Sequence, residues 1–130
     1  MELLDDGWCF ACGKNNPDGL QIDWVVKGDQ SEAVYVPPKK FQGYIDVLHG
    51  GIIATLLDEA MGHLIWKAGY TVVSAEMNVR FVQMAKIGEK LFIHGKIEKA
   101  NKRIVFASAE IRKEDQQLAA AATGKFIVPK

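Results

Sequence analysis

An α+β fold, with one long central helix wrapped by a curved antiparallel sheet of about six strands, is what the residues predict, and three observations carry it. Only one stretch, Gly50 to Lys67, repeats its apolar residues at helical spacing. The other apolar stretches alternate or run in blocks cut by turn residues, as strands do. No repeat, low-complexity tract or linker-like run divides the 130 residues, so residues 1–130 read as one domain, with residues 1–19 as an N-terminal lead-in.

Taken in order, the lead-in holds the chain's two cysteines, Cys9 and Cys12, in a Cys-x-x-Cys unit. Such a unit can be a redox pair, half a zinc site, or two small residues in a tight turn. A zinc site normally has four ligands and no second pair exists, while Gly13-Lys14-Asn15-Asn16-Pro17-Asp18-Gly19 is turn chemistry rather than the start of a redox-motif helix. A structural turn is the reading. Leu20-Gln21-Ile22-Asp23-Trp24 alternates as a half-buried strand does, and Gly28-Asp29-Gln30 offers a turn into a second strand over Glu32 to Val36. Pro37-Pro38 stops that strand, and Lys39 to Leu48 reads as loop.

In the helix, Ile52, Ile53, Leu56, Leu57, Ala60, Met61 and Leu64 form a wide apolar face over about five turns. Gly69 ends it, with Lys67 in the last turn as the helix dipole prefers. Four strands follow, Thr71 to Gln83, Glu89 to Lys99, Lys102 to Lys113 and Gln117 to Val128, and their short connections predict an antiparallel meander. Four consecutive alanines, Ala119 to Ala122, favour helix by propensity; they are read as strand because Gly124 to Val128 continues the pattern. The strand holding Ser74, Glu76, Asn78 and Arg80 on one face would leave an open edge, so a dimer or a dimer of dimers is expected.

Sixteen basic residues balance sixteen acidic ones, so no global field attracts nucleic acid or an anionic membrane. No run approaches the roughly 18 apolar residues of a membrane span, and the start is acidic where a secretory signal is basic. The expectation is a cytoplasmic protein with neither membrane nor nucleic-acid partner.

Chemistry concentrates at one place. His49-Gly50-Gly51 opens the helix, whose first N–H groups have no partner inside it, and Asp58 follows about two turns on, at the shoulder of the apolar face beside Ala54, Gly62 and Ile65. Donors at the helix mouth and a carboxylate suit a reaction that forms an oxyanion and activates a water, as ester or thioester cleavage does. Burial on that shoulder would raise the acid's pKa and make it a better base. Glu59 instead aligns with Thr55, His63 and Trp66, and is expected to pair with His63 one turn on. His49 is read as fixing the turn, His94 as a plain strand residue, and Gly62 as a site of close approach, by a helix or an acyl chain. His49, Asp58 and His63 lack the spacing of a helical metal site, so neither metal nor cofactor is expected.

These residues resemble the hotdog-fold acyl-CoA thioesterases of the phenylacetyl-CoA and 4-hydroxybenzoyl-CoA type. The resemblance rests on the His49-Gly50-Gly51 turn, Asp58 nine residues after that histidine, the strand Val73-Ser74-Ala75-Glu76-Met77-Asn78-Val79, and Ala85-Lys86-Ile87-Gly88-Glu89; the lead-in Cys9-Phe10-Ala11-Cys12-Gly13 with Asn16-Pro17-Asp18-Gly19-Leu20 looks like one branch of the group. It implies an acyl-CoA substrate, the Gly50 N–H with that of Gly51 on the thioester carbonyl, Asp58 as general base or nucleophile, and Ser74 holding the attacking water. His49 joins these as a catalytic candidate, with a secondary role in polarising the carbonyl. Many members carry Asn or Gln six residues before the histidine; here that position is Gly43, with Gln42 beside it as a possible substitute. Gln42, Gly43, Gly62, Asn78 and Arg80 are the expected substrate contacts, and Arg80, Lys86, Lys90 and Arg103 are candidates to meet the carrier's phosphates. Two alternatives stand beside this one: hydration or dehydration of an acyl thioester, for which the His–acid arrangement is not evident, and a non-catalytic acyl-thioester-binding or regulatory module.

Overall fold

A computed structural model describes residues 2–129. In chain order it contains β1 (Val25–Lys27), β2 (Gln30–Tyr35), a 3-10 turn (Lys39–Phe41), α1 (Gly50–Lys67), β3 (Val73–Phe81), β4 (Leu91–Ala100), β5 (Ile104–Lys113) and β6 (Leu118–Ile127). All strands join one antiparallel sheet in the order β1-β2-β4-β5-β6-β3.

The helix has the predicted bounds because its periodicity is clean and its ends are punctuated: His49 caps it in extended conformation, and Gly69 follows with φ +103°. Its apolar face is buried outright, with Leu56, Leu57, Ala60, Met61, Leu64 and Ile65 at zero exposure against Leu91, Ile93, Val105, Ile111 and Phe126 of the sheet. Each leucine, isoleucine or methionine among them contributes roughly 1.5–3 kcal/mol of burial. The helix lies close on the sheet at its middle. There the buried Ser31 hydroxyl donates to the Ala60 carbonyl at 2.7 Å, and any side chain at its cross-strand neighbour Gly95 would strike that same carbonyl. The alanine run is indeed strand, and Ala119, Ala120 and Ala122 are buried under the helix.

Two expectations fail. Leu20 to Trp24 is not a strand; the first strand is the shorter β1 downstream. The alternation is real, with Leu20 and Ile22 buried, but their N–H groups bond to Phe10 and Ala11 of the lead-in, and Gln21 sits at φ +53°. The meander holds only for β4-β5-β6. β3 pairs with β6 and forms an edge, because the stretch 82–90 carries the chain past three inter-strand steps, about 14 Å, before β4 begins. Among the described residues no helix is long and apolar enough to cross a membrane.

Candidate functional site

The helix mouth is built by His49. Its backbone N–H donates to the Phe41 carbonyl at 3.0 Å, its carbonyl accepts from the Ile52 and Ile53 amides, and its ring Nδ1 accepts the Gly51 N–H at 2.8 Å. The neutral imidazole therefore carries its proton on Nε2. This corrects the expectation that Gly51 offers its amide to a ligand: the histidine occupies it. The Gly50 amide finds no acceptor among the described residues. A Cβ at position 51 would lie 3.0 Å from His49 Nδ1, and one at position 43 would lie 3.4 Å from His49 Cα, so both glycines make room for this histidine. His49, Gly50 and Gly43 line a cleft of about 660 Å³ whose far wall is Phe81, Val82 and Met84, residues that sequence reasoning did not single out. Gln42 is absent from that lining. Its Oε1 accepts the Asp46 N–H at 3.2 Å and steadies a loop in which Asp46 has φ +62°.

Asp58 lies half-buried farther along the helix, where the Ser74 hydroxyl donates to its Oδ1 at 2.7 Å. The two residues meet because β3 is irregular. The register with β6 shifts between Ser74 and Glu76, a bulge at Ala75 that turns Ser74 toward α1, whereas Met77 and Val79 beyond it pack on the core. The single polar face expected for Ser74, Glu76, Asn78 and Arg80 is thereby broken. Asn78 and Arg80 alternate with those core-facing residues, are exposed, and lie outside the clefts that one chain forms around Asp58 and Gly50. A Cβ at Gly62 would meet only the Phe126 ring at 3.8 Å, and Gly62 lines a cleft of about 610 Å³ with Asp58, Ser74 and the lead-in.

The neighbouring acid, Glu59, is covered by the lead-in. Burial pushes its carboxyl up, only partly offset by the Cys12 thiol against it, and the charges of Asp58 and Asp5 raise it further. Burial also pushes the Cys12 thiol up, with the carboxylate adding to it. His63 Nδ1 stands 4.0 Å from Glu59 Oε1, the predicted i,i+4 partner; burial and then Lys67 lower its pKa, partly offset by Asp5. His94 bonds Gln30 on the neighbouring strand and takes no part.

Gly50 and Asp58 do not share a cleft within one chain: eight residues of helix separate them by about 12 Å along its axis. A single carbonyl cannot touch both.

Comparison with known proteins bears on what this geometry is for. A family model described as "Thioesterase superfamily" matches residues 46–120, from the loop before α1 into β6. Acyl-coenzyme A thioesterase THEM4 of Bos taurus is 30% identical over 131 residues, covering 97% of this chain and 53% of that protein. The chain thus spans about half the length of the curated relatives it matches. The crystal structure of zebra fish thioesterase superfamily member 2 shares the fold at a TM-score of 0.80 and 21% identity, over 91% of this chain and 90% of that one. That of smu.793 from Streptococcus mutans UA159, solved bound to acetyl CoA, does so at 0.79 and 22%, over 83% and 88%. With one helix on a six-stranded antiparallel sheet, and a family match that spans the helix mouth, Asp58 and Ser74, this chain belongs to the thioesterase superfamily.

Proposed function

We propose that the protein hydrolyses an acyl-CoA thioester, with Asp58 as the base. The observation that carries this reading is the 2.7 Å hydrogen bond from Ser74 to Asp58 at the wall of an open cleft. With Oδ1 engaged by the hydroxyl, Oδ2 takes a proton from water while a Ser74 lone pair accepts the water's other hydrogen. The water oxygen attacks the thioester carbon, the oxyanion is held by the Gly50 N–H, the C–S bond breaks, and the proton on Asp58 passes to the departing thiolate.

The about 12 Å between Gly50 and Asp58 along the helix means that the two groups serve one carbonyl only if they come from different chains. A homodimer supplies this. β3 pairs on one side only and leaves a nine-residue edge, next to which Phe81 and Met84 are 58% and 72% exposed. In that dimer the Gly50 amide of one protomer faces Asp58 of the partner subunit, and the mouth cleft lined by Phe81 takes part of the substrate.

One observation favours the second reading, an acyl-thioester-binding module: with the Gly51 amide taken by His49 and no side chain at Gly43, a single backbone N–H is left for the oxyanion. A panel of aryl and fatty acyl-CoAs with a thiol-reactive dye separates the two. Hydrolysis gives continuous thiol release with at least one member of the panel; stoichiometric binding without release overturns the catalytic assignment.

A further inference from the structure

The lead-in brings two thiols against a carboxylate. Cys9 Sγ, Cys12 Sγ and a Glu59 carboxylate oxygen all lie within 4.8 Å of one another, and His63 Nδ1 stands 4.0 Å from Glu59 Oε1. Four-coordinate zinc, with bonds of about 2.0 Å to nitrogen or oxygen and about 2.3 Å to sulfur, holds its ligand atoms roughly 3.3–3.8 Å apart. Small side-chain rotations bring the two thiols and the Glu59 oxygen to that spacing; His63 adjoins this group through Glu59 alone and completes it by turning its ring. The turn that presents the thiols is tight: Gly13 N–H donates to the Cys9 carbonyl at 2.9 Å, and a Cβ on Gly13 would collide with the Cys9 backbone.

Charge points the same way. Glu59 is 16% exposed, with Asp58 and Asp5 adding repulsion, and among the described residues no lysine or arginine pairs with it. Two thiols and a poorly solvated carboxylate with no countercharge are a poor stability choice unless a cation joins them.

We infer that Cys9, Cys12, Glu59 and His63 bind one zinc ion that clamps the lead-in onto α1. On binding, both thiols release their protons to solvent, and Zn²⁺ offsets two of the three negative charges of the thiolates and carboxylate. Two sulfurs, one oxygen and one nitrogen suit zinc over a hard cation such as magnesium or calcium. Four protein ligands leave no open position, so the ion is structural and takes no part in thioester chemistry. Its place is specific: Cys9, Cys12, Glu59 and His63 line the same cleft as Asp58 and Ser74, so the clamp fixes one wall of that cleft. The sequence reading that expects no metal weighs the cysteine pair and the helix residues separately; the two groups lie some fifty residues apart in the chain.

The test reads metal rather than turnover, so its outcome is independent of the proposed activity. The full chain is purified under reductant, freed of any affinity tag, and analysed by elemental mass spectrometry. About one zinc per protomer is expected, and replacement by cobalt should give a thiolate-to-metal charge-transfer band with the visible absorption of a four-coordinate ion. Cys9→Ser with Cys12→Ser should abolish that band, and Glu59→Gln and His63→Gln should each weaken zinc binding by about tenfold or more against a chromophoric chelator. Should the cysteine variants fail to fold, chelation of the wild-type protein lowers its Tm and zinc restores it. Fully reduced protein that neither carries zinc nor shows the charge-transfer band with cobalt overturns the inference, and so does a band that persists without the cysteines.

Discussion

Asp58 and Glu59 are consecutive acids on one helix, and the two flanks they face treat them oppositely. Asp58 meets β3, where a bulge hands it the Ser74 hydroxyl and leaves it half-open to a cleft. Glu59 meets the lead-in, whose two thiols close over it beside His63 of its own helix, and burial raises its carboxyl. A carboxylate with one free oxygen and access to water suits proton transfer, whereas one surrounded by metal-ligating groups suits holding the fold together. The covering segment, not the residue type, separates the roles.

The largest effect expected from breaking this contrast is at Asp58. Asp58→Asn keeps the Ser74 hydrogen bond but removes the base, and should lower kcat by about 10²–10⁴ with little change in Tm. Retained activity in that variant would move the base elsewhere. The helix mouth comes next. Proline at the first helical position is well tolerated but has no N–H, so Gly50→Pro should lower kcat by about 10²–10³ while the helix still forms. Mixing Gly50→Pro and Asp58→Asn chains then tests the two-chain site. Random reassortment gives half heterodimers with one intact site each, so about a quarter of wild-type activity should return. No recovery would confine the site to one chain.

A smaller loss is expected at the supporting hydroxyl. Ser74→Ala should cost about tenfold in kcat, equivalent to about 1.4 kcal/mol, with KM nearly unchanged, and Ser74→Thr should restore most of it. Smallest is Gly62→Ala, on the lead-in flank. The added methyl meets only Phe126 at an ordinary 3.8 Å, so the variant should gain up to about 1 kcal/mol of stability, read as a higher denaturation midpoint. If the acyl group uses the cleft beside Gly62, KM for long acyl-CoAs rises at the same time; an unchanged KM places the acyl group elsewhere.

How much of this was legible in the residues varies by element. The helix was readable to its terminal residues because its periodicity, its capping histidine and the glycine after it are all local signals. Asp58, Ser74 and Gly50 were picked out by their spacing and by resemblance, and the structure brings Ser74 and Asp58 into contact. Asn78 and Arg80 stay opposite Met77 and Val79 as alternation predicts, whereas Ser74 leaves that face because the strand bulges at Ala75. The role of Gly51 was misread because a glycine amide after a histidine looks free until the imidazole is seen to cap it. Leu20 to Trp24 shows the same limit: alternation reports burial, not a strand partner.

By itself, then, the order of residues determined where the helix begins and ends, that the four segments after it are antiparallel strands, and which acid stands two turns past the His-Gly-Gly opening. Those features depend on interactions within a few residues along the chain. The tertiary structure alone decided that β3 lies at an edge beside β6, that Ser74 turns inward, and that Cys9 and Cys12 close over Glu59 and His63. Each of these joins segments far apart in the chain, and the free energy that selects one such pairing over another comes from packing that no local window contains.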